Sequence, residues 1–302
     1  MKIKALKRLN CGLSALVLSF LLFSFQSEAS TKRDTLISSG YKIKTIIVDA
    51  GHGNKPAGGG RYSPGAEGSY SNERTVTLAI ALKLQKAIEK NIPGVRVIMT
   101  RTTPEDVPFQ TRSNIANQNK GDLFISIHCN ALPNKVVRKA VGRKKGKTVY
   151  KNVSIPDHSG KGVLMMMYDT KRTDPQTNAL MENFTIGGDE HDDATKAKEE
   201  DDPIKIIMIN QLKNKYRRQS LRFADFVNNE FIADGRKSEG FREKVLFVLD
   251  HTAMPSILVE TGYIDNFEEE DYLNSEIGQN EIADAIVRGI QNYKKETEQL
   301  TQ

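Results

Sequence analysis

Short apolar runs separated by longer amphipathic stretches set the plan of this chain. Ile46–Val48, Val95–Thr100, Asp122–His128, Gly162–Met167, Val245–Leu249 and Ser256–Glu260 read as strands. The densest of them have the near-continuous apolar character of strands buried on both faces. Between the first two, Val76, Ala79, Ile80, Leu82, Ala87 and Ile88 lay an apolar stripe along one helix. It starts near Asn72 and stops at Pro93-Gly94. Residues 108–119, 204–231, 267–274 and 276–296 read as further helices. Strands alternating with helices predict an α/β fold, a single layered domain. Its core is expected to be a mostly parallel twisted sheet of about six strands, with helices on both faces.

Three stretches break the pattern. Lys55 to Ser71 is a glycine-rich loop. Pro133 to Asn152 is basic, with eight Lys/Arg residues between Lys135 and Lys151. It reads as a solvated loop or hairpin, or, more sharply, as a contact for an anionic polymer. Residues 187–202 are acidic and poor in apolar side chains, which predicts a mobile segment.

The N-terminus belongs to none of these elements. Lys2, Lys4, Lys7 and Arg8 precede an apolar core from Leu13 to Phe25, and Ser27-Glu28-Ala29 places small residues at a cleavage site. Residues 1–29 therefore read as a secretory signal, too short to span a membrane comfortably and leaving no stable membrane anchor once removed. Residues 30–42 follow as a polar lead-in, and 43–297 as one domain containing an insertion at about 132–203. Export to the periplasm or cell envelope is the expected destination. Without residues 1–29 the formal charge falls from +6 to +3, so the basic balance is no nucleic-acid footprint. Of Cys11 and Cys129 only the second survives processing, which excludes an intramolecular disulfide.

Candidate chemistry gathers at the carboxyl ends of the predicted strands, where open α/β sheets keep their sites. His52 follows the first strand, between Gly51 and Gly53, in a turn where φ can go positive and little bulk crowds the imidazole. Glu73 opens the first helix, where the dipole favours a carboxylate. His128 ends the run DLFISIH. Two imidazoles and one carboxylate, with a fourth position left to water, form a known catalytic zinc set. Glu260 closes the apolar run PSILVE; a carboxylate there is costly unless solvated, paired or bound to a cation. Beside an acidified water it is suited to accept a proton and pass it to a leaving nitrogen.

Read in order, VDAGHG (48–53), PGAEG (64–68), NERTVTLAIALKL (72–84), Thr100-Arg101, TRSNIAN (111–117), FISIHCNA (124–131) and PSILVETGYIDNFEEE (255–270) resemble the zinc-dependent N-acetylmuramoyl-L-alanine amidases of type 3. The resemblance runs from about Lys44 to Tyr293. It implies His52, Glu73 and His128 as ligands of one Zn²⁺, Glu260 as catalytic acid/base, and Asn130 as a substrate-lining residue. Arg101 and Arg112 match motif arginines and read as structural ion-pair or loop-clamping groups. Asn54 stands where the family often has a second glycine, and Cys129, in place of a small residue, should point to the opposite face from His128.

The implied substrate is peptidoglycan, cut between N-acetylmuramic acid and the L-alanine of the stem peptide. The resemblance further implies an inserted segment that covers the metal until an activator protein displaces it. Glu182 is the first candidate for the side chain that plugs the open position. Alternatives are a zinc peptidase or deacetylase on the same frame, or a wall-binding protein without catalysis.

Overall fold

The computed structural model describes residues 42–169, 174–186 and 203–299. The expected signal segment 1–29, nearly all of the expected lead-in and the acidic run 187–202 lie outside the described residues. In chain order the elements are β1 (Thr45–Ala50), α1 (Glu73–Asn91), β2 (Arg96–Met99), α2 (Phe109–Gln118), β3 (Leu123–Asn130), β4 (Lys135–Lys144) and β5 (Lys147–Ile155). There follow β6 (Val163–Tyr168), α3 (Asp174–Ile186), α4 (Pro203–Ala233), β7 (Ser238–Lys244), α5 (Phe247–Asp250), β8 (Ser256–Tyr263), α6 (Phe267–Asn274) and α7 (Glu276–Gln299).

Six strands form one sheet in the order β2-β1-β3-β8-β6-β7. The first four run parallel. β6 is antiparallel to β8, and β7 is parallel to β6. This reversal decides where the later chain goes. β6 begins at the rim where β3 and β8 end, Leu164 pairing with Glu260, and finishes at the opposite rim. β4 and β5 pair only with each other, as a separate hairpin.

The apolar runs are buried as their composition requires. Ile46, Ile47, Val48, Leu123, Phe124 and Ile125 are fully buried, each such side chain contributing roughly 1.5–3 kcal/mol by leaving water. One core gathers Ile47, Phe124, Leu164 and Leu258 with Ala116 of α2 and Leu249 of α5. α1 and α4 lie on the sheet as a second packed group, with α7 across both. Gly289 of α7 sits against the backbone of Val227 in α4, so a Cβ there would force the two helices apart.

One expected strand is displaced. Val245–Leu249 is not a strand; the sheet's outer strand is Ser238–Lys244, and Phe247–Asp250 forms a helical turn. The physical reason is burial. β7 lies at the sheet edge, partly or fully exposed along its length, and needs no apolar run. Val248 and Leu249 are apolar because the turn tucks them into the core beside Leu258. The basic stretch is a hairpin, one of the two forms expected of it. Among the described residues no helix is long and apolar enough to cross a membrane.

Candidate metal centre

Three elements deliver the donor atoms. β1 leads into Gly51-His52-Gly53, α1 starts at Glu73, and β3 carries His128. One donor atom from each of His52, Glu73 and His128 lies within 4.8 Å of the others. The Glu73 Oε1 atom is 3.2 Å from His52 Nε2 and 2.9 Å from His128 Nδ1. The two rings stand nearly perpendicular, with centroids 4.7 Å apart. Burial alone would raise the Glu73 carboxyl; hydrogen bonds from His128 and His52 outweigh it and hold the group well below the usual carboxylate range.

The turn at His52 is built differently from the expectation. The positive φ, 59°, belongs to His52 itself and not to its neighbours. Histidine is among the non-glycine residues that tolerate this region best. The flanking glycines serve close approach instead. A Cβ on Gly51 would meet the His128 ring, and one on Gly53 would meet the backbone of Asp106. Gly65, at φ 76°, lies against both the Glu73 carboxylate and the His52 ring.

Each candidate ligand is oriented by a second set of contacts, as metal-binding side chains require. His52 Nδ1 is 2.6 Å from Ser63 Oγ, which leaves Nε2 facing Glu73. The Ser63 amide donates to Asp106 Oδ2 (2.7 Å). Glu73 Oε2 accepts from the Ala66 amide (2.8 Å) and Oε1 from the Cys129 amide (3.0 Å). In return the Glu73 amide donates to the Ala66 carbonyl (2.9 Å), and Asn72 caps the helix through Thr75. Sequence reasoning passed over Ser63, Asp106 and the two amides. Only the PGAEG motif hinted that this loop touches the site.

Beneath the site lie two buried arginines. Arg112 binds Asp49 and Asp106 (both 2.7 Å) and donates to the His52 carbonyl (2.8 Å). Arg101 donates to the Ala50 and Gly51 carbonyls (2.9 and 2.8 Å). Both clamp the turn that carries His52, the role their motif positions suggested. The loop ahead of Glu73 is held at its other end by Glu270. This buried carboxylate accepts from the amides of Ser69, Tyr70 and Ser71 and from both serine hydroxyls. Burial would raise the Glu270 carboxyl, and those hydrogen bonds bring it down to about 2.

Glu260 is paired in register with His128 on the adjacent parallel strand, so the two side chains project from the same face of the sheet. Its Oε2 atom is sealed from solvent and has no hydrogen-bond partner. Burial, and secondarily the negative charge of Glu73, push its carboxyl up to about 8. An orphaned carboxylate oxygen beside two imidazoles and an anion is what a site built for a divalent cation leaves behind when only protein groups are counted. The donor set therefore fits zinc. Cys129 points away, its Sγ 3.6 Å from Thr261 Oγ1, and burial raises its thiol pKa well above the ordinary value.

Two expected site residues do not join the cluster. Asn130 turns its Oδ1 onto the following amide, of Ala131 (2.9 Å), as a turn residue would. Glu182 is exposed on α3, lining a cavity of about 360 Å³ with Gln110, Asn117 and His251. Because β6 runs antiparallel to β8, the chain leaves it at the rim opposite His128, and α3 follows there. In this arrangement Glu182 cannot plug the metal position.

Comparison with known proteins bears on this geometry. The family model described as N-acetylmuramoyl-L-alanine amidase matches residues 46–292. AmiA of Escherichia coli is 26% identical, covering 94% of this chain and 90% of the relative. AmiA of Salmonella typhimurium is 28% identical over the same shares. AmiC of Escherichia coli is 29% identical over 82% of this chain, which spans 52% of that longer protein. The solved amidase AmiC2 of Nostoc punctiforme shares the fold, with a TM-score of 0.54 at 24% identity, covering 85% of this chain and 99% of its own. With its motifs in the family's order from the first strand to the last helix, this chain belongs to the N-acetylmuramoyl-L-alanine amidases, hydrolases of peptidoglycan.

Proposed function

We propose that the protein is a zinc-dependent amidase that separates stem peptides from glycan strands, hydrolysing the bond between N-acetylmuramic acid and L-alanine. The convergence of His52, Glu73 and His128 beside an unpartnered Glu260 carries the reading. His52, His128 and the Glu73 carboxylate would hold the ion, one negative charge against a dication. The chemistry a bound zinc ion supplies is Lewis acidity toward the scissile carbonyl and a lowered pKa for water.

The remaining work falls to the chain. The Glu260 carboxylate takes the proton from the attacking water and delivers it to the departing L-alanine nitrogen, so one water is consumed and no proton is lost. Burial, which pushes its carboxyl up to about 8, makes the ionised group a stronger base than an ordinary carboxylate. Ser63 and the Ala66 and Cys129 amides hold the ligands still, while Arg101 and Arg112 hold the turn beneath them. Asn130, two residues past His128 on β3, is a candidate substrate contact.

Residues 1–29 have the form of an export signal, so action in the periplasm or cell envelope is part of the proposal. A protein partner is also proposed: the similar CwlD amidase of Clostridioides difficile was solved in complex with the GerS lipoprotein. Zinc-loaded protein should release from purified sacculi intact stem peptides with free L-alanine amino ends, and lose that activity on chelation. A peptidase would leave alanine on the sugar, and a deacetylase would release acetate; either product overturns the assignment.

A further inference from the structure

The β4–β5 hairpin is the part of the molecule with the least visible reason to be stable. Between Lys135 and Ile155 it holds eight Lys/Arg residues and no acidic one, more positive charge than the net +6 of the whole chain. It is exposed along nearly its full length. A two-stranded ribbon of this kind is marginal in water on its own. The pairing aggravates matters, because Lys139 lies directly opposite Lys151 and Lys144 directly opposite Lys147. Like charges across a strand pair are destabilising. The turn is nonetheless well made: Lys145 and Gly146 both have positive φ (49° and 76°), as a two-residue hairpin loop of the favoured twist demands. So the sequence specifies this ribbon while loading it with repulsion.

Its position supplies the reason. β4 follows the strand that carries His128, and β5 leads into β6, whose Leu164 pairs with Glu260. The hairpin thus springs from the metal-bearing rim. Its base is fixed there: the Leu132 amide donates to Asp265 Oδ2 (2.7 Å), and Lys135 pairs with Asp157 (3.2 Å). Register puts Lys139, Lys144, Lys147 and Lys151 on one face with Val149 and Val153. The other face carries Arg138, stacked over Tyr150 at 4.7 Å, and Arg143.

We propose that this hairpin is a substrate arm, its lysine face binding the carboxylates of peptidoglycan stem peptides so that the polymer is held across the metal site. The proposal rests on the amidase reading for its choice of polymer. A membrane surface is the rival occupant, but the arm rises from the metal-bearing rim, where the polymer to be cut must lie. Neutralising the Lys139/Lys151 and Lys144/Lys147 pairs is the gain on binding.

The test is co-sedimentation of the metal-free full chain with purified sacculi, where no hydrolysis intervenes. The quadruple variant K139Q/K144Q/K147Q/K151Q should bind about tenfold more weakly. The corresponding Lys→Arg variant should stay within twofold of the parent, which guards against a folding defect. Sacculi whose carboxylates have been chemically amidated should bind the unaltered protein as poorly as intact sacculi bind the glutamine variant, and added salt should erase the difference. Equal binding by the glutamine variant, or undiminished binding to amidated sacculi, overturns the proposal. So does lysine-dependent capture by phosphatidylglycerol vesicles without lysine-dependent capture by sacculi. If zinc-loaded protein fails to cleave sacculi while this binding pattern holds, the amidase reading fails and the arm stands.

Discussion

Asp49 and Glu260 are two carboxylates sunk into the same sheet and treated in opposite ways. Asp49 on β1 is answered on every side, by Arg112 (2.7 Å), Thr100 (2.6 Å) and Ser126 (2.6 Å). Burial would raise its carboxyl, and Arg112 with the two hydroxyls brings it below the ordinary value. Glu260 on β8 has an oxygen with no partner, and burial with the nearby Glu73 charge raises it to about 8. A carboxylate that serves the frame is neutralised by the frame. Glu260, the proposed acid/base, is left with an unpartnered oxygen and kept protonated, and such divergent environments are how one fold can separate structural from acid/base roles.

The largest expected effect is on the satisfied side. Arg112→Met leaves Asp49 and Asp106 buried without their cation and should cost about 3–5 kcal/mol in urea unfolding. A cost near zero would mean that Asp49 is not held as described. The unsatisfied side should respond with the opposite sign. Folded Glu260 keeps its proton up to pH near 8, whereas the unfolded chain releases it near 4.5. Stability of the metal-free protein therefore falls as pH rises through that window. Glu260→Gln should stabilise it by on the order of 2–4 kcal/mol at pH 8 and by nothing at pH 4. The same change should lower turnover of the zinc-loaded enzyme by roughly 10²–10⁴-fold. In the parent enzyme activity should rise with pH as Glu260 ionises, with its limb below 8 because a nearby dication favours the charged form.

Glu270 sharpens the comparison from a third direction, as a carboxylate satisfied by a loop. Glu270→Gln should cost about 1–3 kcal/mol. The parent's advantage should be full above the ordinary carboxyl value of 4.5 and shrink as pH falls toward 2, by thermal unfolding across that range. The smallest effect is expected at Ser63. Ser63→Ala should weaken zinc affinity by about tenfold through loss of ring orientation, with little change in melting temperature.

How much of this could be read beforehand depends on the kind of residue. β1, β3, β6 and β8 were legible because strands buried on both faces have no choice but to be apolar. α1 was legible from its stripe and its stop at Pro93-Gly94. His52 and His128 stood out because imidazoles at the ends of apolar strands ask for a reason, and Glu73, favoured at its helix start in any case, only as their partner. β7 was not legible, since SEGFREK at a sheet edge carries no apolar signature. Ser63 and Asp106 were hidden because a loop's contacts follow its path, which no periodicity encodes. The placement of Glu182 was missed for a topological reason: nothing local in GVLMMM says that β6 runs backwards, yet that reversal sends α3 to the far rim.

The central claim is that His52, Glu73 and His128 together hold one divalent cation. It is tested most directly by measuring bound zinc per chain in purified parent protein and in His52→Ala, Glu73→Ala and His128→Ala, with melting temperature read alongside. One equivalent in the parent and loss of tight binding in every folded variant is the predicted result. Undiminished zinc in any one of the three variants would contradict it.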